Sequence, residues 1–114
     1  MSSAHPEGAT KYARQSDQPA EPSAILAALD DETCRQLLAA IADEPRTATE
    51  LSSICDVPLS TTYRKLEQLL EASLVDESLR LSRDGRHANQ YVQRFDDVTI
   101  SIPAGSDIEV TVTQ

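Results

Sequence analysis

The chain has 114 residues, a length that suits one small domain with a flanking segment. It contains no Trp and a single Phe, so Leu, Ile, Val and Ala must fill its core, and a pocket lined by aromatic side chains is not expected. The net charge of -9 argues at first against a nucleic-acid partner, because Lys and Arg supply most of the affinity for phosphate backbones.

The charge is distributed unevenly along the chain. Residues 1–59 carry ten acids and four bases, and residues 95–114 carry four acids and no base. Residues 60–94 carry five acids and six bases, which are Arg64, Lys65, Arg80, Arg83, Arg86 and Arg94. A local basic stripe, rather than the total charge, determines where an anion docks. This basic window is therefore the candidate anion-binding surface.

Eight of the ten bases are Arg, and this usage with an excess of acids is typical of a protein from a salt-loaded cytoplasm. Molar salt shortens the Debye length to about 3 Å and screens the acidic repulsion. Cys34 and Cys55 are well separated, and the first 15 residues lack the apolar segment of a secretion signal. No apolar run approaches the roughly 20 residues that span a bilayer. We predict a halophilic, cytoplasmic protein with reduced thiols and no membrane contact.

Residues 1–22 are rich in Ser, Ala, Pro, Gln and Glu without apolar periodicity, which predicts a disordered tail. From residue 23 onward, apolar residues recur at helical spacing. A carboxylate of Asp30 or Asp31 can cap the second of the two helices that this spacing predicts. Their apolar faces comprise Ile25, Leu26 and Leu29, then Cys34, Leu37, Leu38 and Ile41.

Two further helices follow. Thr47 and Glu50 have the spacing of a capping box at the start of the third helix, whose apolar face would comprise Leu51 and Ile54. Residues 56–58 end this helix, and a fourth begins between residues 58 and 60 and ends near residues 72–73. Its buried stripe is predicted to comprise Thr62, Leu66, Leu69 and Leu70.

The apolar period then changes from 3.6 to 2. Residues 78–82 and 87–95 predict two strands of a hairpin, whose turn contains Asp84 and Gly85. Residues 98–102 and 108–112 predict another hairpin. This order predicts an α+β fold: a winged helix-turn-helix domain over residues 23–95, with a core of three or four helices and a β-hairpin wing, and a C-terminal β-hairpin extension over residues 96–114.

The second helix of a helix-turn-helix lies in the major groove of DNA. If the predicted stripe faces the core, the other side of helix 59–72 presents Ser60, Thr61, Tyr63, Arg64, Lys65 and Gln68. Arg64 is the best candidate for a bidentate guanine contact, whereas Tyr63 and Lys65 are expected to contact the backbone. Arg83 and Arg86, in the wing over residues 78–94, would reach the adjacent backbone or minor groove. Either element alone could instead be a solvated polar surface.

Residues 29–95 resemble the ArsR-like winged-helix regulators, in the version common in haloarchaea. The matching stretches are 29–35 (LDDETCR), 47–51 (TATEL), 58–66 (PLSTTYRKL), 71–75 (EASLV) and 84–87 (DGRH). The resemblance implies a dimeric transcription regulator, with Ser60, Thr61, Tyr63, Arg64 and Lys65 on the DNA-reading helix and Arg83 and Arg86 on the wing. Ser73 stands where many members carry glycine.

Catalysis and cofactor binding have no support in the sequence. His5 and His87 are the only histidines, and the three glycines form no phosphate-binding loop. ArsR-like metal sensors carry a cysteine-containing metal box before the turn, whereas here Cys55 stands alone and is a poor soft-metal site. We expect no enzymatic activity, no cofactor and no metal.

The leading hypothesis is a transcription regulator, acting as a repressor, that binds double-stranded DNA at specific sequences as a homodimer. One alternative is a protein-interaction module on the same scaffold, which the net charge and the strand-forming C-terminus favour. Another is a thiol-responsive regulator that acts through Cys34. That role requires an exposed thiol with a lowered pKa, and packing of Cys34 in the core is the favoured reading.

Overall fold

The computed structural model describes residues 20–81, 85 and 87–113. None of the helices in this part of the chain combines the length and the apolarity needed to cross a bilayer. Most of the predicted tail lies outside the described residues, and Pro22 already begins the first helix. The elements in chain order are α1 (Pro22–Asp30), α2 (Glu32–Ala40), β1 (Arg46–Thr47), α3 (Ala48–Cys55), α4 (Leu59–Glu71), β2 (Val75–Leu81), β3 (His87–Gln93), β4 (Asp97–Ser101) and β5 (Glu109–Thr113).

Side-chain caps fix the starts of α2 and α3. Asp31 Oδ1 accepts a hydrogen bond of 2.9 Å from the Cys34 amide at the start of α2. At α3, Thr47 Oγ1 accepts from the Glu50 amide at 3.2 Å, and Glu50 Oε1 accepts from the Thr47 amide at 2.9 Å. The predicted cap and capping box are confirmed, and they satisfy amides that would otherwise lack helical partners.

The end of α4 is sharply defined by a residue with left-handed backbone, Ser73, at φ 60°. Its amide donates to the Leu70 carbonyl at 3.0 Å, and the Leu74 amide donates to the Leu69 carbonyl at 3.0 Å. These two bonds form a Schellman motif. Serine at this position therefore stops the helix as glycine would, although its Cβ makes the conformation less favourable.

Strands β1, β3 and β2 form one antiparallel sheet in that order. Strands β2 and β3 are the wing, in a register that runs from Val75 opposite Gln93 to Leu81 opposite His87. β2 begins at residue 75, three residues before its predicted start, because buried Val75 already pairs with β3. The two-residue strand β1 was not predicted from the sequence, and it joins the start of α3 to the wing.

The core lies between the four helices and the base of the wing. It comprises Ile25, Ala28, Cys34, Leu37, Leu38, Ile41, Ala48, Leu51, Leu66, Leu69, Ala72, Leu74, Val75, Tyr91 and Val112. These residues confirm the predicted stripe of α2. The predicted stripe of α4 is confirmed for Thr62, Leu66 and Leu69, which are all buried, whereas Leu70 is only partly buried.

The predicted apolar face of α3 was partly wrong. Leu51 is fully buried, but the side chain of Ile54 is 53% exposed. The buried stripe instead runs from Ala48 through Leu51 to the partly buried Cys55, at a spacing of three and four residues. Ile54 is one residue, or about 100° of rotation, away from that stripe and therefore faces solvent.

A separate two-stranded sheet, formed by β4 and β5, follows the wing. β5 contacts α1, and Val112 belongs to the same core cluster as the helices. Four helices, an antiparallel wing and this C-terminal hairpin together make an α+β winged helix-turn-helix fold, as predicted.

One arginine fastens the wing to α3. Arg80 donates from Nη1 to Glu50 Oε2 at 2.9 Å and from Nη2 to Glu50 Oε1 at 3.2 Å, and its Nε donates to Gln90 Oε1 at 3.0 Å. The hydrogen bond from Arg80, and then the one from the Thr47 amide, hold the pKa of Glu50 below its ordinary value of 4.5. Glu50 thus both caps α3 and holds the wing in position.

We expect Ser73→Gly to stabilise the protein by about 0.5–1 kcal/mol, because glycine adopts positive φ without a steric cost that is roughly 1–2 kcal/mol for other residues. Urea unfolding monitored by circular dichroism measures this change. As a control, Ser53→Gly on the exposed side of α3 should destabilise the protein by about 0.5–1 kcal/mol, since that position is helical. If both variants lost stability, strain at Ser73 would be disproved.

The Glu50–Arg80 pair should make stability depend on acidity. Because the pKa of Glu50 is lowered in the folded state, its contribution is present above about pH 4.5 and is lost as the pH falls through the lower folded pKa. Both side chains are more than a third exposed, so solvent screening keeps this contribution small. Tm measured from pH 7 to pH 3 should fall less in Glu50→Gln than in the parent. Glu109→Gln, which removes an exposed carboxylate on β5, should retain the parental slope.

Candidate nucleic-acid interface

The direction of α4 is fixed at its first turn. Thr62 is fully buried, and its hydroxyl donates to the carbonyl of Pro58 at 3.0 Å, the same carbonyl that accepts from the Thr62 amide. Leu66 and Leu69 continue this buried side one and two turns later. The opposite side of α4 is thereby turned away from the core over its whole length.

Three of the predicted site residues lie together on the exposed side of α4. Ser60, Tyr63 and Arg64 are exposed, and Thr61 beside them is partly exposed. All four belong to the first half of the helix, where unpaired backbone amides also favour an anion. The arrangement can present hydroxyl groups and a guanidinium to one binding partner.

Arg64 differs from the other described cations. Of the six Lys and Arg side chains in the described part of the chain, Arg64 is the one with no hydrogen bond or ion pair to another described residue. The other five, with their partners in parentheses, are Arg35 (Leu29 carbonyl), Arg46 (Glu44), Lys65 (Asp31), Arg80 (Glu50) and Arg94 (Asp76).

Lys65 faces α2 instead of standing alone on the outward face. Its Nζ lies 2.5 Å from Asp31 Oδ2, and both side chains are mostly buried. The hydrogen bond from Lys65, followed by the one from the Cys34 amide, lowers the pKa of Asp31. This ion pair joins the middle of α4 to the cap of α2. Contact of Lys65 with a DNA phosphate stays a prediction, and it would have to share or break this pair.

Gln68 also points toward α2. Its Oε1 accepts from the Cys34 thiol at 3.8 Å, and Cys34 is fully buried. Burial, and then the charge of Asp31, raises the pKa of the Cys34 thiol to about 11. The thiol-responsive alternative required exposure and a lowered pKa, and the structure contradicts both requirements. Cys34 is a packing residue between α2 and α4.

The predicted basic window is not one continuous anion-binding surface. Arg80 is held by Glu50, and Arg94 is buried beside Asp76, with 3.2 Å between Arg94 Nε and Asp76 Oδ2. Together with Lys65, three of the four cations of this window that the structure describes have carboxylate partners. These pairs connect residues as far as 30 and 34 positions apart, so that sequence spacing gave no signal for them.

The wing lies against the same helix. β2 packs on α4, and burial raises the pKa of Tyr91 to about 12, with smaller contributions from Glu77 and Tyr63. Arg83 and Arg86 lie outside the described residues, whereas Gly85 has the positive φ, 85°, that the predicted turn requires.

Sequence reasoning missed other exposed residues in this region. Leu59 and Glu67 are exposed on α4, one turn before and one turn after Tyr63. Leu79 and Leu81 are exposed on the wing. The four-residue spacing around Tyr63 could have revealed the two on α4. The outward side of α4 thus carries apolar and acidic groups beside Arg64.

No group of three or more His, Cys, Asp or Glu side chains within residues 20–81, 85 and 87–113 has an arrangement that could hold a metal ion. Cys55 is partly buried, and burial raises the pKa of its thiol. The Cys55 thiol donates to the Gln36 carbonyl at 3.7 Å and so contributes to the contact between α3 and α2.

Residues 29–78 match a protein-family model described as a helix-turn-helix domain. The matched range begins at the end of α1, contains α2, β1, α3 and α4, and ends within β2. No curated protein matches the chain. Residues 29–78, less than half of the chain, are thus similar to helix-turn-helix domains, and this similarity, together with the winged helix-turn-helix fold, supports DNA binding and transcription regulation.

Proposed function

We propose that this chain is a transcription regulator, acting as a repressor, that binds double-stranded DNA at specific sequences and catalyses no reaction. The observation that carries the proposal is the exposed position of Arg64 on α4, without an internal partner among the described residues. An arginine fork pairs in a bidentate manner with guanine O6 and N7 in the major groove. α4 enters that groove, as the second helix of a helix-turn-helix does.

The neighbours of Arg64 supply positioning contacts. The hydroxyl of Ser60 and the first amides of α4 bind a backbone phosphate, with Thr61 close to them. The Tyr63 hydroxyl contacts the backbone, and Lys65 and Gln68 reach the edge of the same groove. The wing over residues 78–94 lies along the adjacent backbone or minor groove, where Arg83 and Arg86 meet the phosphates.

Among the residues that the structure describes, Arg64 is the one cation without an internal partner and is therefore available for DNA. Counterion release makes the logarithm of affinity fall by about 0.9 per phosphate contact for each tenfold increase in salt. The cations that the proposal assigns to phosphates in each protomer are Arg83, Arg86 and, at the edge of the groove, Lys65, so base contacts carry much of the binding. This proposal fits a protein of a salt-loaded cytoplasm, in which phosphate contacts are strongly screened.

Repression needs no surface beyond the DNA interface. A protein that occupies promoter DNA excludes other proteins from the same base pairs. In a homodimer, two copies of α4 would read half-sites about 34 Å apart, one helical turn of the duplex. We therefore propose a homodimeric repressor whose operator has two related half-sites.

Substitution of Arg64 tests the assignment. Preferred sites are first selected from a pool of random-sequence duplexes, and the Kd for a selected site is then measured by fluorescence anisotropy. Arg64→Ala should weaken binding about 5- to 150-fold, the equivalent of about 1–3 kcal/mol for a lost guanine contact, without change in Tm. Arg35→Ala removes the same charge from α2 and should bind almost as the parent does. Equal binding by Arg64→Ala and the parent would disprove the role of α4.

Glu67 should act as a negative determinant. Its exposed carboxylate lies on the outward side of α4, where it can accept from cytosine N4 but repels every phosphate. We expect Glu67→Gln to bind unselected duplex DNA several-fold more tightly and to discriminate less at one base pair of the selected site. Competition assays with both DNAs measure this difference. Equal changes in the two affinities would contradict the proposed role.

A further inference from the structure

The C-terminal ribbon, formed by β4 and β5, has two different faces. Successive side chains of a strand alternate between faces, and cross-strand partners share a face. The polar face consists of the pairs Asp97–Thr113, Thr99–Thr111 and Ser101–Glu109. The other face consists of Val98–Val112 and Ile100–Val110, and it contains no charged residue.

Only one end of the apolar face is covered by the rest of the chain. Val112 is buried, and Val98 and Val110 are packed against the core. Ile100, farther along β4, is 49% exposed, and Ile102 just beyond the strand is 77% exposed. A two-stranded ribbon is marginally stable in water unless an apolar face is covered. The apolar face of the ribbon therefore extends beyond the part that packs against the core.

We propose that the same face of a second copy of this chain covers Ile100 and Ile102. Residues 95–114 carry four acids and no base, and two of these acids, Asp97 and Glu109, belong to the polar face. Two ribbons stacked apolar face to apolar face lie about 10 Å apart with both polar faces turned outward. This is the arrangement that separates the acids of the two copies most completely.

Other occupants fit this face less well. A basic protein would be attracted to the acidic polar face, which would leave the isoleucines uncovered. Pairing of two copies edge to edge would bring the acids of both ribbons into one sheet and would also leave the isoleucines in water. An isologous contact between the apolar faces of two copies, related by a two-fold axis, is the arrangement that removes the isoleucines from water.

The size of the ribbon sets the expected strength of the contact. Five residues of antiparallel strand extend about 17 Å, so the face is much smaller than the roughly 800 Å² per partner of a standard stable interface. Dimerisation should therefore be weak, in the micromolar range, and dependent on protein concentration. Because the contact is apolar and salt screens the outward-facing acids, dimerisation should not weaken as salt increases.

The test is sedimentation equilibrium of the full chain without DNA, from about 1 to 300 µM protein, at about 0.15 M and 2 M NaCl. The parent should change from 12.4 kDa toward twice that mass as its concentration rises. The double variant Ile100→Thr/Ile102→Thr should raise the dimer Kd about tenfold or more at both salts. Ile102→Thr alone, at a position beyond the strand, should raise it several-fold without affecting Tm.

Leu79→Thr is the matched control, because Leu79 is a comparably exposed apolar side chain, 56% exposed, on the wing. This variant should dimerise as the parent does. A parent that stays at 12.4 kDa at every concentration, as it would if another protein covered the ribbon, would overturn the proposal, and so would a double variant with the parental Kd. The assay contains no DNA, so that failure of this interface and failure of DNA binding are distinguishable.

Discussion

Thr62, Leu66 and Leu69 are buried along one side of α4, and that burial fixes the direction of every other side chain on the helix. Leucine burial contributes about 1.5–3 kcal/mol per side chain, whereas a surface contact contributes less than about 1 kcal/mol, so that no exposed interaction can rotate the helix. Arg64 is presented to solvent for this reason, and Lys65 and Gln68 are turned toward α2. The core therefore determines which cation is available to another molecule.

Two basic side chains near α4 hold the fold together. Lys65 connects α4 to the cap of α2, and Arg80 connects the wing to the capping box of α3. These two cations set the positions of α4 and of the wing relative to α2 and α3. Loss of Arg80 would then change the position of the wing relative to α3, whereas loss of Arg64 would leave these internal contacts intact. Affinity and thermal stability measured together separate the two kinds of role.

The structural features that depend on residues close together in the chain could be predicted from the sequence. The caps of α2 and α3 and the buried stripe of α2 follow from spacings of three and four residues, and the structure confirms them. The partners of Lys65 and Arg80 could not be predicted, since each pair is closed only by tertiary packing across at least 30 residues. Ile54 was misplaced because a helix of eight residues buries one narrow stripe, and Cys55 occupies it. The tip of the wing lies outside the described residues, so that the roles of Arg83 and Arg86 rest on the sequence.

The two proposed contacts of this protein, one with DNA and one between the ribbons of two copies, respond to salt in opposite directions. Salt weakens the pairing of cations with phosphates but screens the acids of the ribbon and leaves apolar association intact. When two protomers are joined, the second reading helix binds its half-site at a raised effective concentration. Stronger dimerisation at high salt would then offset part of the DNA affinity that is lost as salt weakens each phosphate contact. An acidic chain can bind DNA under these conditions if its dimer contact is apolar, as the contact proposed for Ile100 and Ile102 of the ribbon is.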